Sequence, residues 1–317
     1  MNQVPPLTTC EKVFGQVHGI SVGPRLSEMI LLAFFAYASV ASLFFPLAFR
    51  ERALILSINF LTGAVVWSLA RPGRRRPSTV LTTIRDWLPA VLILVAYRES
   101  GLFLAPEPSH HLDDLFIKWD RVILGNPLVL QILSLCAPWL QRYLEFAYLL
   151  CYPLVPLGVG VLLVAHRTVR PSGFENKLKP PFPAARYQLE LDRFWTAVLF
   201  AALTCYILFP FFPLTPPREL FHDVPGPAVE PLLRRWNLWI LDKFSVHACI
   251  FPSGHVAATT AAALVIRRTL PRLGVLFMIA AVSIAISTVY GRYHYAADAA
   301  AGGVVGLAAY WVSDRIV

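Results

Sequence analysis

The sequence predicts an all-α protein, a polytopic bundle of helices in a membrane, on three observations. Of 317 residues, 56% are hydrophobic and only 15% are charged, against about 25% charged in soluble domains. The apolar residues gather in runs close to the roughly 20 that a spanning helix needs. The basic residues fall between those runs, with more of them on one side than on the other.

In chain order the runs lie near 26–49, 53–70, 87–104, 143–165, 194–213, 254–270, 273–290 and 296–312. They predict six to eight transmembrane helices. The run at 87–104 is the weakest, because Arg98 and Glu99 interrupt it. The stretch 110–141 alternates charge with short apolar pieces, and reads as interfacial or re-entrant helices broken at Pro138. The stretch 166–193 contains Pro171, Gly173, Pro180, Pro181 and Pro183, the mark of an irregular linker. Gly302, Gly303 and Gly306 in the last run would let a neighbouring helix approach closely. Residues 1–25 are mixed and end in Pro24 and Arg25, so no cleavable signal peptide is expected.

The net charge of +9 comes almost entirely from arginine. In a membrane protein that excess points first to cytoplasmic loops and anionic headgroups. No basic helix or aromatic–basic module suggests nucleic acid as a partner. With the N-terminus in the cytoplasm, the arginine-rich loops near 71–85, 166–193 and 267–272 share the inner side. That orientation places Arg218, His255 and His294 together on the outer face. Five cysteines, Cys10, Cys136, Cys151, Cys205 and Cys249, have no zinc-ligand spacing. Cys136, Cys151 and Cys205 lie in apolar stretches and read as buried small hydrophobes.

Chemistry concentrates near the C-terminus, where an ionisable group at a membrane edge is a functional candidate. In Pro252-Ser253-Gly254-His255, the serine is a natural helix N-cap. The free N–H groups of the following turn would attract phosphate, and Gly254 would let it close to the backbone. His255 is then placed to donate a proton to a leaving oxygen. The plainer alternative is a capped helix with an interfacial histidine. In STVYGRYHYAAD, His294 and Asp298 stand four apart and share a face if helix runs through both. The aspartate would fix the imidazole tautomer and free the other ring nitrogen to attack phosphorus. Arg292 could hold phosphate oxygens with its planar fork. Arg218, stiffened by Pro216 and Pro217, is a second cation of this kind, although an ordinary interfacial arginine would look the same.

Taken together, these residues resemble the type 2 phosphatidic acid phosphatase and haloperoxidase superfamily. The resemblance rests on PSGH at 252–255 and on the Ser287…His294…Asp298 series, and covers 190–317 firmly and 85–190 loosely. It implies a six-helix phosphatase-like core within 86–317, with motifs in 210–298, preceded by N-terminal spans and a basic loop in 1–85. It implies His294 as nucleophile, Asp298 as its orienting group and His255 as the acid. Phosphate binding falls to Arg218, Arg292, Ser253 and Gly254. The chain departs from the family pattern at three positions. Phe211 stands where a lysine is usual, and Glu219 follows Arg218 where proline is usual. Thr288 replaces the arginine after the motif serine. The GRYHY arrangement resembles the branch of inositol phosphorylceramide synthases and related phosphotransferases. That likeness suggests transfer to an alcohol or polyol acceptor as well as hydrolysis.

The cluster His110, His111, Asp113, Asp114 and Asp120 has the residue types of a metal site, but reads more simply as the polar face of an interfacial helix. The Asp-Gly-start signature of metal-dependent alcohol phosphotransferases is missing, so no metal or other cofactor is expected. The resulting expectation is an integral membrane enzyme acting on a phosphorylated lipid through a phosphohistidine. A non-catalytic lipid-phosphate binder or transporter is the alternative. The full His255–His294–Asp298 set argues against it, since binding alone would not need an oriented imidazole.

Overall fold

The computed structural model describes residues 23–70, 79–104, 111–125, 137–167, 184–222, 232–246, 248 and 251–317. Its regular elements are helices throughout, and among the described residues there is no strand. The N-terminal helices are α1 (Leu26–Ala41), α2 (Phe49–Ala70) and α3 (Thr79–Gly101). Next come α4 (His111–Leu124), α5 (Pro138–Leu149) and α6 (Leu154–Arg167). Then α7 (Ala184–Leu208) runs into a 3-10 turn at Phe209–Phe211 and the single turn α8 (Pro217–Leu220). The chain ends with α9 (Leu232–Phe244), α10 (Gly254–Thr269), α11 (Pro271–Tyr290) and α12 (Ala296–Ile316).

All eight apolar runs are helical, with differences of extent. The first run ends early, at Ala41. The run at 143–165 is two helices, α5 and α6, bent by 70° at the intervening break. Pro153 lies in that break and supplies no N–H to continue the helix. Conversely, α3 continues through Arg98 and Glu99, and each has a partner on a neighbouring segment. Asn59 of α2 donates to Glu99 at 2.7 Å, and Arg98 donates to the carbonyls of Phe244 and Ser245 at 3.3 and 3.2 Å.

Among the described residues, four helical stretches are long and apolar enough to cross a membrane, or five if the α5–α6 pair counts as one broken span. The four are Phe49–Ala70, Thr79–Gly101, Arg186–Phe211 and Pro271–Tyr290. This is fewer than the six to eight read from the sequence. Both α1 and α10 have only 16 residues, and α12 carries Asp298, Asp314 and Arg315. For α10 the physical reason is its position inside the bundle. Its Ala257, Ala261, Ala262, Val265 and Ile266 are buried against protein, so small residues serve better than bulky lipid-facing ones.

The core forms where α7 and α10 meet. Phe194, Trp195, Leu199 and Cys205 of α7 are fully buried there, and α11 and α12 close on the other sides of α10. Cys151 and Cys205 are buried free thiols, as predicted, whereas Cys10, Cys136 and Cys249 lie outside the described residues. The 166–193 linker lies mostly outside them too.

Buried charges tie α1 and α3 to α7. Arg25 donates to Asp86 at 2.6 Å, and the Ser27 hydroxyl donates to Asp192 at 2.6 Å. The Trp195 indole donates to the Asp86 carbonyl at 2.9 Å, and Arg85 pairs with Glu28 at 2.7 Å. Each charge has a partner, which is the condition for tolerating it there.

Two of the three predicted glycines set the closest helix approach. A Cβ on Gly302 would lie 2.5 Å from the Ser253 carbonyl, and one on Gly306 would lie 2.6 Å from the Ala257 carbonyl. Gly303 faces open space. Gly302→Val should therefore lower the thermal midpoint of the detergent-solubilised protein by an amount matching about 1–3 kcal/mol. Gly303→Ala should be neutral or slightly stabilising. Equal melting of the two variants would contradict this packing.

Candidate active site

The two histidine segments meet because α10 and α12 begin side by side. Ser253 caps α10, its hydroxyl accepting the Val256 N–H at 3.5 Å. The Ser253 N–H in turn donates to the Asp298 carbonyl at 3.3 Å. Gly254 is needed here for close approach, since a Cβ would meet the Tyr206 ring at 3.2 Å.

The turn between α11 and α12 presents the second histidine. The Thr288 carbonyl accepts the N–H groups of Tyr293 and His294 at 2.9 and 3.0 Å, which folds the chain back on the end of α11. Arg292 takes a left-handed backbone with φ 58°, rare for a residue with a side chain. Helix begins at Ala296, so His294 precedes it and does not share its face as the spacing suggested. The pair still meets. His294 Nδ1 lies 2.5 Å from Asp298 Oδ2, with Asp298 fully buried. The His255 and His294 ring centroids are 6.0 Å apart at 78°. Tyr148 and Tyr152 pack edge-on against His255 from the other side, at 6.2 and 5.6 Å.

Both predicted arginines come to this place. The Arg218 N–H donates to the Arg292 carbonyl at 2.9 Å, joining their two segments by backbone. The Arg218 guanidinium pairs with Glu219 at 2.8 Å, so the residue that departs from the family pattern holds the cation beside it. Burial, with the nearby charge of Arg234, lowers the Arg292 pKa from its ordinary value. A pocket of about 400 Å³ opens beside them, lined by Asp120, Phe221, Arg292, His294 and Tyr295 among others. The Ser287 hydroxyl donates to the Ile284 carbonyl at 2.8 Å, within its own helix.

Sequence reasoning missed the supports of this turn. Glu145 of α5, 3% exposed, accepts from Arg234 at 3.1 Å and from Asn237 and the Tyr293 hydroxyl at 2.7 Å each. Arg234 also donates to the Gly291 carbonyl at 2.7 Å. Tyr293 stacks on Tyr148 with centroids 3.8 Å apart. The available signal was Glu145 itself, a lone carboxylate in an apolar run.

The aspartates of α4 also serve the site. Asp113 accepts the Thr215 N–H at 2.9 Å, and Asp120 accepts the Ala296 N–H at 2.8 Å. His110 lies outside the described residues, and among those described no three His, Cys, Asp or Glu side chains group as metal ligands.

The fold and site together define a helical, membrane-type bundle in which a His–Asp pair faces a second histidine, with Arg292 in the wall of the adjoining pocket and Arg218 tied to Arg292 by backbone. Residues 183–312, which hold every one of these groups, match the model of the PAP2 superfamily. The match supports a phosphatase-type enzyme. No curated protein and no solved structure matches the chain.

Removing Glu145 takes away the carboxylate paired with Arg234 and leaves its charge beside the Gly291 carbonyl, a loss on the order of 3–5 kcal/mol. Glu145→Ala should therefore lose thermal stability and phosphatase activity together. Glu145→Gln, which keeps one acceptor oxygen for Tyr293 and Asn237 to share, should retain more of both. Melting curves and initial rates on the same preparations check this, and wild-type behaviour of Glu145→Ala would contradict it.

Proposed function

We propose that the chain is an integral membrane phosphatase or phosphotransferase that acts on a phosphorylated lipid through a phosphohistidine. The observation that carries the reading is the His294–Asp298 bond, with the His255 ring 6.0 Å from the His294 ring. In the tautomer that donates Nδ1–H to Asp298, His294 keeps a lone pair on Nε2 for in-line attack on phosphorus. Arg218, Arg292 and the backbone amides of Gly254 and His255 stabilise the charge that develops on the phosphoryl oxygens. His255 gives its proton to the departing oxygen. Water or an alcohol then attacks the phosphoryl group on Nε2, His255 takes the proton, and His294 is regenerated. No step calls on a metal ion.

The several long apolar helices fit a membrane protein. The site belongs on the extracytoplasmic side in this reading, with the N-terminus in the cytoplasm. Support comes from the bias of basic residues and from the shared end of the bundle occupied by Arg218, His255 and His294.

His294→Ala should abolish turnover, and Asp298→Asn should leave a trace. Rapid acid-free quenching with a ³²P-labelled lipid phosphate should trap label on the wild type and none on His294→Ala. Wild-type turnover by His294→Ala would end the mechanism. Orientation is checked with cysteines introduced into a cysteine-free background. Lys118→Cys should react with an impermeant maleimide in intact cells, and Arg268→Cys only after permeabilisation. The reverse pattern would invert the topology.

A further inference from the structure

Asp120 is difficult to explain as a helix cap alone. It sits on α4, outside the PAP2-like segment, yet lines the pocket that holds His294 and Arg292. Its Oδ1 accepts the Ala296 N–H at 2.8 Å, so it caps α12 in place of Tyr295, whose own side chain makes no cap bond. A neutral asparagine or serine caps as well as an aspartate. The negative charge is therefore surplus to that task. It is also costly where it stands. Burial pushes the Asp120 carboxyl above the usual carboxylate range, against the N–H groups of Ala296 and Ala297, and Asp298 adds to the rise.

A carboxylate beside a phosphate site repels the phosphate unless something between them donates a hydrogen bond. A hydroxyl does so while presenting its oxygen to phosphorus. The remaining lining suits such a group attached to a lipid. Arg292 and Arg121 stand at the polar part, and Ile117, Leu124, Phe221 and Val289 supply apolar wall. The volume of about 400 Å³ admits a polar headgroup together with the start of an apolar chain.

Building on the phosphotransfer reading above, we infer that Asp120 is a specificity-determining residue that binds a hydroxyl adjacent to the reacting phosphate. The hydroxyl has two sources, the alcohol that accepts the phosphoryl group or a polyol headgroup on the donor.

The test uses the full chain purified in detergent, wild type against Asp120→Asn, which preserves the cap and removes the charge. In the first arm, ³²P-labelled dioctanoyl phosphatidic acid is the donor, and glycerol, myo-inositol or 1-butanol competes with water. The ratio of transfer to hydrolysis is measured within one reaction, which makes it independent of the amount of folded enzyme. The second arm compares KM for phosphatidylinositol and phosphatidic acid. A fall of about tenfold or more in the ratio assigns the hydroxyl to the acceptor. A rise of that size in KM for phosphatidylinositol alone assigns it to the donor. If all parameters change by one common factor, or none changes, Asp120 is only a cap and the proposal is overturned. It is overturned equally if the wild type hydrolyses but neither transfers nor distinguishes the two donors, an outcome that leaves the phosphatase reading intact. Absence of both phosphohistidine and product in the wild type removes the parent reading and this one with it.

Discussion

The contact between α10 and α12 governs the rest of the site. Gly302 and Gly306 let the two backbones touch, and the Ser253 N–H bonds the Asp298 carbonyl at their shared end. Everything chemical follows from that separation. His255 stands two residues past the cap of α10, and His294 stands two residues before the start of α12. Two imidazoles can face one small volume only if the helices that carry them begin at the same level. Small residues achieve this without hydrophobic force between helices, because in a membrane close packing is itself the source of association.

Around this contact the supports are polar and come from elsewhere in the chain. Glu145 holds the GRYHY turn from one side through Tyr293 and Arg234, while Asp113 and Asp120 hold it from the other through Thr215 and Ala296. These carboxylates lie well before the matched 183–312 segment. The site is therefore completed by α4, α5 and α9 and is not contained in the four core helices. Its supports are carboxylates, Glu145 paired with Arg234 and Asp113 and Asp120 bonded directly to backbone N–H groups.

Much of the fold and the local chemistry was legible because both leave short-range marks. The apolar runs predicted helices and the Ser253 cap, and the residues of PSGH and GRYHY gathered as expected. The bend between α5 and α6 was less visible, since Pro153 sits in an otherwise continuous apolar run and proline alone does not decide between a kink and a stop. The length and surroundings of each apolar helix were less visible for a related reason. Hydropathy reports whether a helix avoids water, and α10 avoids it inside protein as effectively as inside lipid. The meeting of His294 with Asp298 was anticipated on the wrong ground, a shared helix face, when a turn before the helix achieves it. Glu145, Asp113 and Asp120 were opaque because their partners are backbone groups and side chains far along the chain, which no local spacing encodes.

Arg292 shows where durability and chemistry pull apart. Its left-handed backbone would suit glycine or asparagine better, by about 1–2 kcal/mol. Either replacement would also withdraw a guanidinium from the pocket wall. Selection for heat resistance alone would thus erode this position first. Under the proposed mechanism, selection for turnover would keep an amino acid that the local conformation disfavours, and phosphate binding would justify the strain at Arg292.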